Sequence, residues 1–105
     1  MKQEDKLLQK LLDSVQKSEE YLGTRHTRFR SDLAKYKVVD ICKKYANSIE
    51  YDVHLEALVR GGKIELIVES IILEEDFRSL FSIEDLQSAQ ARVNYLSKRY
   101  RRNPK

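Results

Sequence analysis

Tryptophan is absent from this 105-residue chain, and proline, methionine and cysteine occur once each. The shortage of the first three carries little functional information. The single Cys42 excludes an intramolecular disulfide framework, so the chain folds on packing alone, as suits a reducing compartment. No run approaches the roughly 18 consecutive apolar residues that a membrane-spanning helix requires. The polar start, Met1 to Asp5, lacks the apolar core of a secretory signal. The expectation is a soluble, cytoplasmic protein with no membrane partner. Internal repeats, long linkers and low-complexity tracts are also missing.

Catalytic and metal-binding constellations are equally scarce. There are two histidines, His26 and His54, and no Cys/His cluster has zinc spacing. Cys42 falls on an apolar helical stripe, which reads as a buried structural thiol rather than a nucleophile. Gly61-Gly62-Lys63 has no phosphate-loop context. The chain is therefore expected to be no enzyme, with no cofactor and no metal.

What is present is a charge-rich globular composition, 41% hydrophobic and 35% charged, with room for a single domain over residues 1–105. The net charge of +3 hides a segregated pattern. Residues 1–22 carry −1, residues 23–48 carry +5, residues 49–81 carry −5, and residues 82–105 carry +4. A polyanion can thus meet a basic face on a nearly neutral molecule.

Leu7, Leu8, Leu11, Leu12, Val15 and Leu22 recur at helical spacing and predict an amphipathic helix over residues 1–22, stopped by Gly23. Its narrow leucine stripe would be buried in the domain or against a second copy. Thr24 to Arg30 read as a basic connection, and Ser31 and Asp32 as the cap of a second helix over 31–47. Leu33, Ala34, Val38, Ile41, Cys42 and Tyr45 would form its buried side.

From Ile49 the pattern changes to alternation. Ile49, Tyr51, Val53, Leu55, Ala57 and Val59 interleave with Glu50, Asp52, His54, Glu56 and Leu58, which predicts a strand. Gly61-Gly62 suits a two-residue primed turn, and Ile64, Leu66 and Val68 open the return strand. This β-hairpin, residues 49–73, would set His54 opposite Glu69 as an ordinary cross-strand charge pair. It would also gather Asp52, Glu56, Glu65 and Glu69 on one solvated acidic face. Phe77, Leu80 and Phe81 follow in a loop and should tuck beneath the domain. Ser82 with Asp85 has the form of a capping box, opening a helix over 82–102 with Ile83, Leu86, Ala89, Val93, Leu96 and Tyr100 on its apolar stripe. The fold class so read is α+β: two N-terminal helices, an antiparallel hairpin and a C-terminal helix.

The order helix, hairpin, helix resembles that of double-stranded RNA-binding domains. The third strand and the Lys-Lys-x-x-Ala helix start of those domains are missing, so no residue role is carried over. Two helices preceding strands also resemble histone-like DNA-bending proteins, without their long basic arms.

Two functions follow. The first is a nucleic-acid-binding accessory protein. Arg25, Arg28, Arg30, Lys98, Arg99, Arg101 and Arg102 would neutralise phosphates, DNA or RNA alike, while Phe29, Tyr95 and Tyr100 stack on bases. The alternative is a protein-binding inhibitor or regulatory module of the phage or mobile-element type. It would act through Glu50, Asp52, Glu56, Glu65, Ile67, Glu69 and Ile71. Either could form a homodimer through the first helix or the hairpin.

Overall fold

The computed structural model describes residues 2–48 and 53–99, with the side chains of Val53 and His54 excepted. Helix α1 (Gln3–Leu22) is followed by α2 (Thr27–Lys35), α3 (Val38–Ala46), α4 (Val53–Arg60), α5 (Val68–Ile72) and α6 (Ile83–Arg99). Single 3-10 turns at Ile64–Leu66 and Arg78–Leu80 complete the order. No β-strand occurs among the described residues, so the expected α+β class is replaced by an all-helical fold.

The hairpin fails because its residues satisfy two periods at once. Leu55, Ala57 and Val59 alternate, but Leu55, Leu58 and Val59 are also spaced by three and four. In α4 that spacing puts Leu58 and Val59 inside and leaves Leu55 half-buried. Gly61-Gly62 then ends a helix instead of turning a hairpin. Only Gly62 has positive φ, at 75°, whereas the predicted turn needs it at both positions. Gly62 N donates to Val59 O at 3.1 Å and Lys63 N to Leu58 O at 2.8 Å, the paired bonds of a Schellman stop. The predicted return strand becomes the 3-10 turn and α5, with Ile67, Ile71 and Ile72 buried at helical spacing.

The predicted second helix is two helices, and the first begins at Thr27. Continued past Leu33, an unbroken helix would bring Lys37 onto the buried face four residues on. Extended backbone at Tyr36 and Lys37 resets the phase. Val38, Ile41, Cys42 and Ala46 become the inner face of α3, and Lys37 stays outside.

The short helix α5 lies at the centre, contacting α1, α3 and α6. The main core joins Leu7 and Leu11 of α1, Leu33, Ile41 and Cys42, Ile71 and Ile72, Phe77, Phe81 and Ala89. Phe77, Phe81 and the partly buried Leu80 therefore do tuck under the helices. With Leu7, Leu11 and Val15 covered by the chain's own helices, the leucine stripe is spent internally, and a dimer through it loses its basis. A hairpin dimer goes with the hairpin. A second cluster, Leu58, Val59, Ile67 and Leu96 with Leu22, Leu55 and Val93 packed on it, ties the C-terminal ends of α1, α4 and α6 together. The capping box forms as predicted: Asp85 N donates to Ser82 Oγ at 3.1 Å, and Ser82 N to Asp85 Oδ2 at 3.2 Å. Ile83, predicted on the apolar stripe of that helix, is instead 70% exposed. No helix of the described residues is long and apolar enough to cross a membrane.

Candidate functional site

Between the two clusters opens a cleft of about 590 Å³, walled by the inner face of α1, the 25–29 segment, the end of α3, α4 and the start of α5, with Arg92 reaching in from α6. Its apolar wall includes Leu11, Val15, Leu58 and Ile67. Two serines one turn apart, Ser14 and Ser18, stand on the same face of α1 and are buried. Ser14 Oγ donates to Leu66 O at 2.5 Å, fastening the 3-10 turn to α1. Ser18 Oγ lies 2.7 Å from His26 Nε2. Because Ser18 is only 3% exposed, this pair fastens the 26–29 segment to α1.

The same segment is fastened again by Glu19. Its carboxylate accepts from Arg30 Nε at 2.9 Å, from the second guanidinium nitrogen at 2.6 Å, and from His26 N at 2.8 Å. The bidentate Arg30 contact and the backbone bond hold the Glu19 carboxyl down at about 2. At the far end of α6, burial pushes Asp85 up. Hydrogen bonds from Asn47 and Ser82 outweigh it and keep the carboxyl below its ordinary value.

The deepest polar group is Glu69, 1% exposed, beside Arg92 at 9%. Arg92 Nε is 3.3 Å from Glu69 Oε2, yet that oxygen has no partner in hydrogen-bond geometry. Leaving a buried acceptor without a hydrogen bond costs about 1–3 kcal/mol. Burial drives the Glu69 carboxyl above its ordinary range, against the pull of Arg92. Burial, with the nearby Glu69 charge, pushes the Cys42 thiol up to about 12, so Cys42 is the inert core thiol expected of it.

The rim of the cleft is basic. Arg25 and Arg28 are exposed and Lys44 faces them from α3. They adjoin the end of the molecule where α1, α4 and α6 terminate together. There Lys63 Nζ stands 5.6 Å above the Tyr21 ring, and Lys98 and Arg99 close α6. The opposite end is acidic: Glu74, Glu75 and Asp76 lie by the start of α1, where Gln3 Nε2 donates to Asp76 O.

The predicted nucleic-acid residues thus divide. Arg25, Arg28, Lys98 and Arg99 are exposed on or near one end. Arg30 is engaged with Glu19. Phe29 is half-buried, its ring edge-on to Tyr45 at 5.1 Å, so it is a packing residue and no stacking platform. Tyr95, 48% exposed, flanks a separate groove with Asn47 and Ser48. Tyr100, Arg101 and Arg102 lie outside the described residues.

The predicted protein-binding face does not survive the change of fold. Ile67, Glu69 and Ile71 are buried, Glu56 is half-buried, Glu65 alone is exposed, and Glu50 and Asp52 lie outside the described residues. The His54–Glu69 cross-strand pair and the acidic sheet face vanish with the hairpin. No metal-ligand cluster occurs among the described residues.

Sequence reading missed Ser14, Ser18, Lys44 and Arg92. The signal for three of them was present. Arg92 falls three residues after Ala89 and four before Leu96, and Ser14 and Ser18 continue the Leu7–Leu11 face, so each is a polar residue at a buried helical position. Comparison with protein-family models, with curated proteins and with solved structures finds nothing that matches this chain.

Proposed function

We propose that the chain binds a polyanion, a DNA or RNA strand, at its basic end. The observation that carries this reading is the convergence of cations from distant parts of the sequence. Arg25 and Arg28 follow α1, Lys63 follows α4, and Lys98 and Arg99 close α6. Leu22, Leu58 and Leu96 share one small apolar cluster that holds these ends together.

Helix stability accounts for some of these charges and not for others. Lys98 and Arg99 meet the negative end of the α6 dipole, worth roughly 0.3–1 kcal/mol each. Arg28 stands in the first turn of α2, which holds no acidic residue, and there a cation opposes the dipole. An exposed arginine placed against local helix preference is consistent with a role outside the fold.

Fluorescence anisotropy with labelled single-stranded and duplex DNA and RNA, at two salt concentrations, tests the proposal. With about four phosphates neutralised, affinity should fall with salt with a log–log slope of roughly −3 to −4. No binding near physiological salt would end it.

A further inference from the structure

We propose that Tyr21 is a stacking platform for an unpaired base, so that the basic end takes a single strand in preference to a duplex. This rests on the polyanion reading and deepens it by naming the form of nucleic acid bound. Tyr21 lies in the last turn of α1. Its neighbour Leu22 turns into the small apolar cluster that gathers the ends of α1, α4 and α6, and Tyr21 is left 48% exposed. Two contacts from the end of α4 nevertheless fix the ring. Lys63 Nζ stands 5.6 Å from its centroid. The ring also lies so close to Gly61 that a β-carbon there would collide with the Tyr21 hydroxyl and ring carbons. Gly61 has no positive φ, so the tyrosine, and not the turn, is what requires a glycine at this position.

An aromatic ring among cations is the means by which proteins hold single strands. Bases of any identity stack on the ring, while the cations follow the backbone phosphates. Lys17 precedes Tyr21 by one turn on the same side of α1. Arg25 follows the end of that helix, and Lys98 arrives at the same end of the molecule from α6. A duplex satisfies these cations equally well but keeps its base faces stacked on one another. Tyr21 therefore distinguishes the two forms where charge does not. Tyr36 supplies the contrast. It is 63% exposed, yet it follows Leu33, which packs in the main core and not in the cluster of the basic end.

Anisotropy on the full chain with an oligothymidylate strand, the corresponding duplex and an abasic strand of equal length tests this. Tyr21→Leu, checked for an intact melting transition, should weaken oligothymidylate binding at least about fivefold, the loss of one stacked base. Duplex and abasic-strand binding should stay within about twofold, because they read charge alone. Tyr21→Phe keeps the ring and Tyr36→Leu lies elsewhere, so both should match the parent within about twofold. Gly61→Ala should push the ring aside and weaken oligothymidylate binding at least about twofold without lowering the melting temperature. If folded Tyr21→Leu binds oligothymidylate like the parent, or loses all three ligands equally, the platform is refuted. Salt-dependent binding by the parent chain then leaves the polyanion reading standing, whereas no binding of any ligand ends both. Equal losses in Tyr21→Phe or Tyr36→Leu would also refute stacking at Tyr21. An unchanged affinity in Gly61→Ala overturns the seating of the ring by Gly61.

Discussion

Arg92 and Glu69 are an ion pair taken almost wholly out of water, so each residue is costly without the other. Arg92→Met leaves a buried carboxyl unpaired and should destabilise the chain by about 3–5 kcal/mol, as truncating one member of a buried pair does. Replacing both, Glu69→Leu with Arg92→Met, should recover most of that loss in denaturant titrations. A double variant no more stable than Arg92→Met would mean that the site tolerates no apolar filling. Glu19 behaves oppositely to Glu69 on titration. Its carboxyl is held at about 2 against an ordinary 4.5, so the unfolded chain takes up the proton first. The stability it confers is complete above 4.5 and is lost as the pH falls towards 2. Glu19→Gln should therefore melt at a temperature less sensitive to pH across that window than the parent chain. Glu69 is raised, so the folded chain holds its proton longer. Its contribution is full below 4.5 and declines as the pH climbs.

Among the elements, α4 and its stop are the clearest case of a sequence that supports two local structures. Gly62→Ala forces a methyl group into left-handed backbone at φ 75° and should cost roughly 1–2 kcal/mol in thermal unfolding. Gly61→Ala faces no such backbone penalty. The added carbon would meet the exposed Tyr21 side chain, which can swing aside. A hairpin turn would have penalised both positions alike. The long helices α1 and α6 were legible because one period fits each: Leu7, Leu8, Leu11 and Leu12 fit one side of a helix but would be split between the two faces of a strand, and Ser82 and Asp85 announce the start of α6. Residues 53–73 were not legible, because an apolar run this short fits strand and helix alike and two glycines suit either a turn or a stop. The choice is made by neighbours distant in sequence, Leu96 against Leu58 and Arg92 against Glu69, that local spacing does not record. The candidate site shared that fate. Arg25 and Arg28 were legible as a basic run, whereas the cleft beside them needs α5 in place.

At the scale of the whole molecule, charge is sorted by end. Extents of 44 × 31 × 25 Å separate the acidic Glu74–Asp76 corner from the basic end by more than a Debye length of about 8 Å at physiological salt. The two ends therefore act independently on an approaching strand. Reversing Arg25 and Arg28 to Glu should weaken strand binding at least tenfold and flatten its salt dependence. Reversing Lys2 and Lys6, at the start of α1, should change it less than twofold. Equal losses from both pairs, measured by anisotropy, would make the attraction a property of net charge rather than of one end.

The centre of the molecule is its least self-sufficient piece. Helix α5 is five residues long, far below the roughly 12–15 at which an isolated helix holds together in water, yet α1, α3 and α6 all close on it. It has no existence before its surroundings are assembled, and they have no filled interior without it. Opening and closing should then be all-or-none, with no half of the chain able to persist alone. In native-state hydrogen exchange the amides of Ile71 and Ile72 should be released only on the slowest, global timescale, whereas the outer turns of α2 flicker open many times in between.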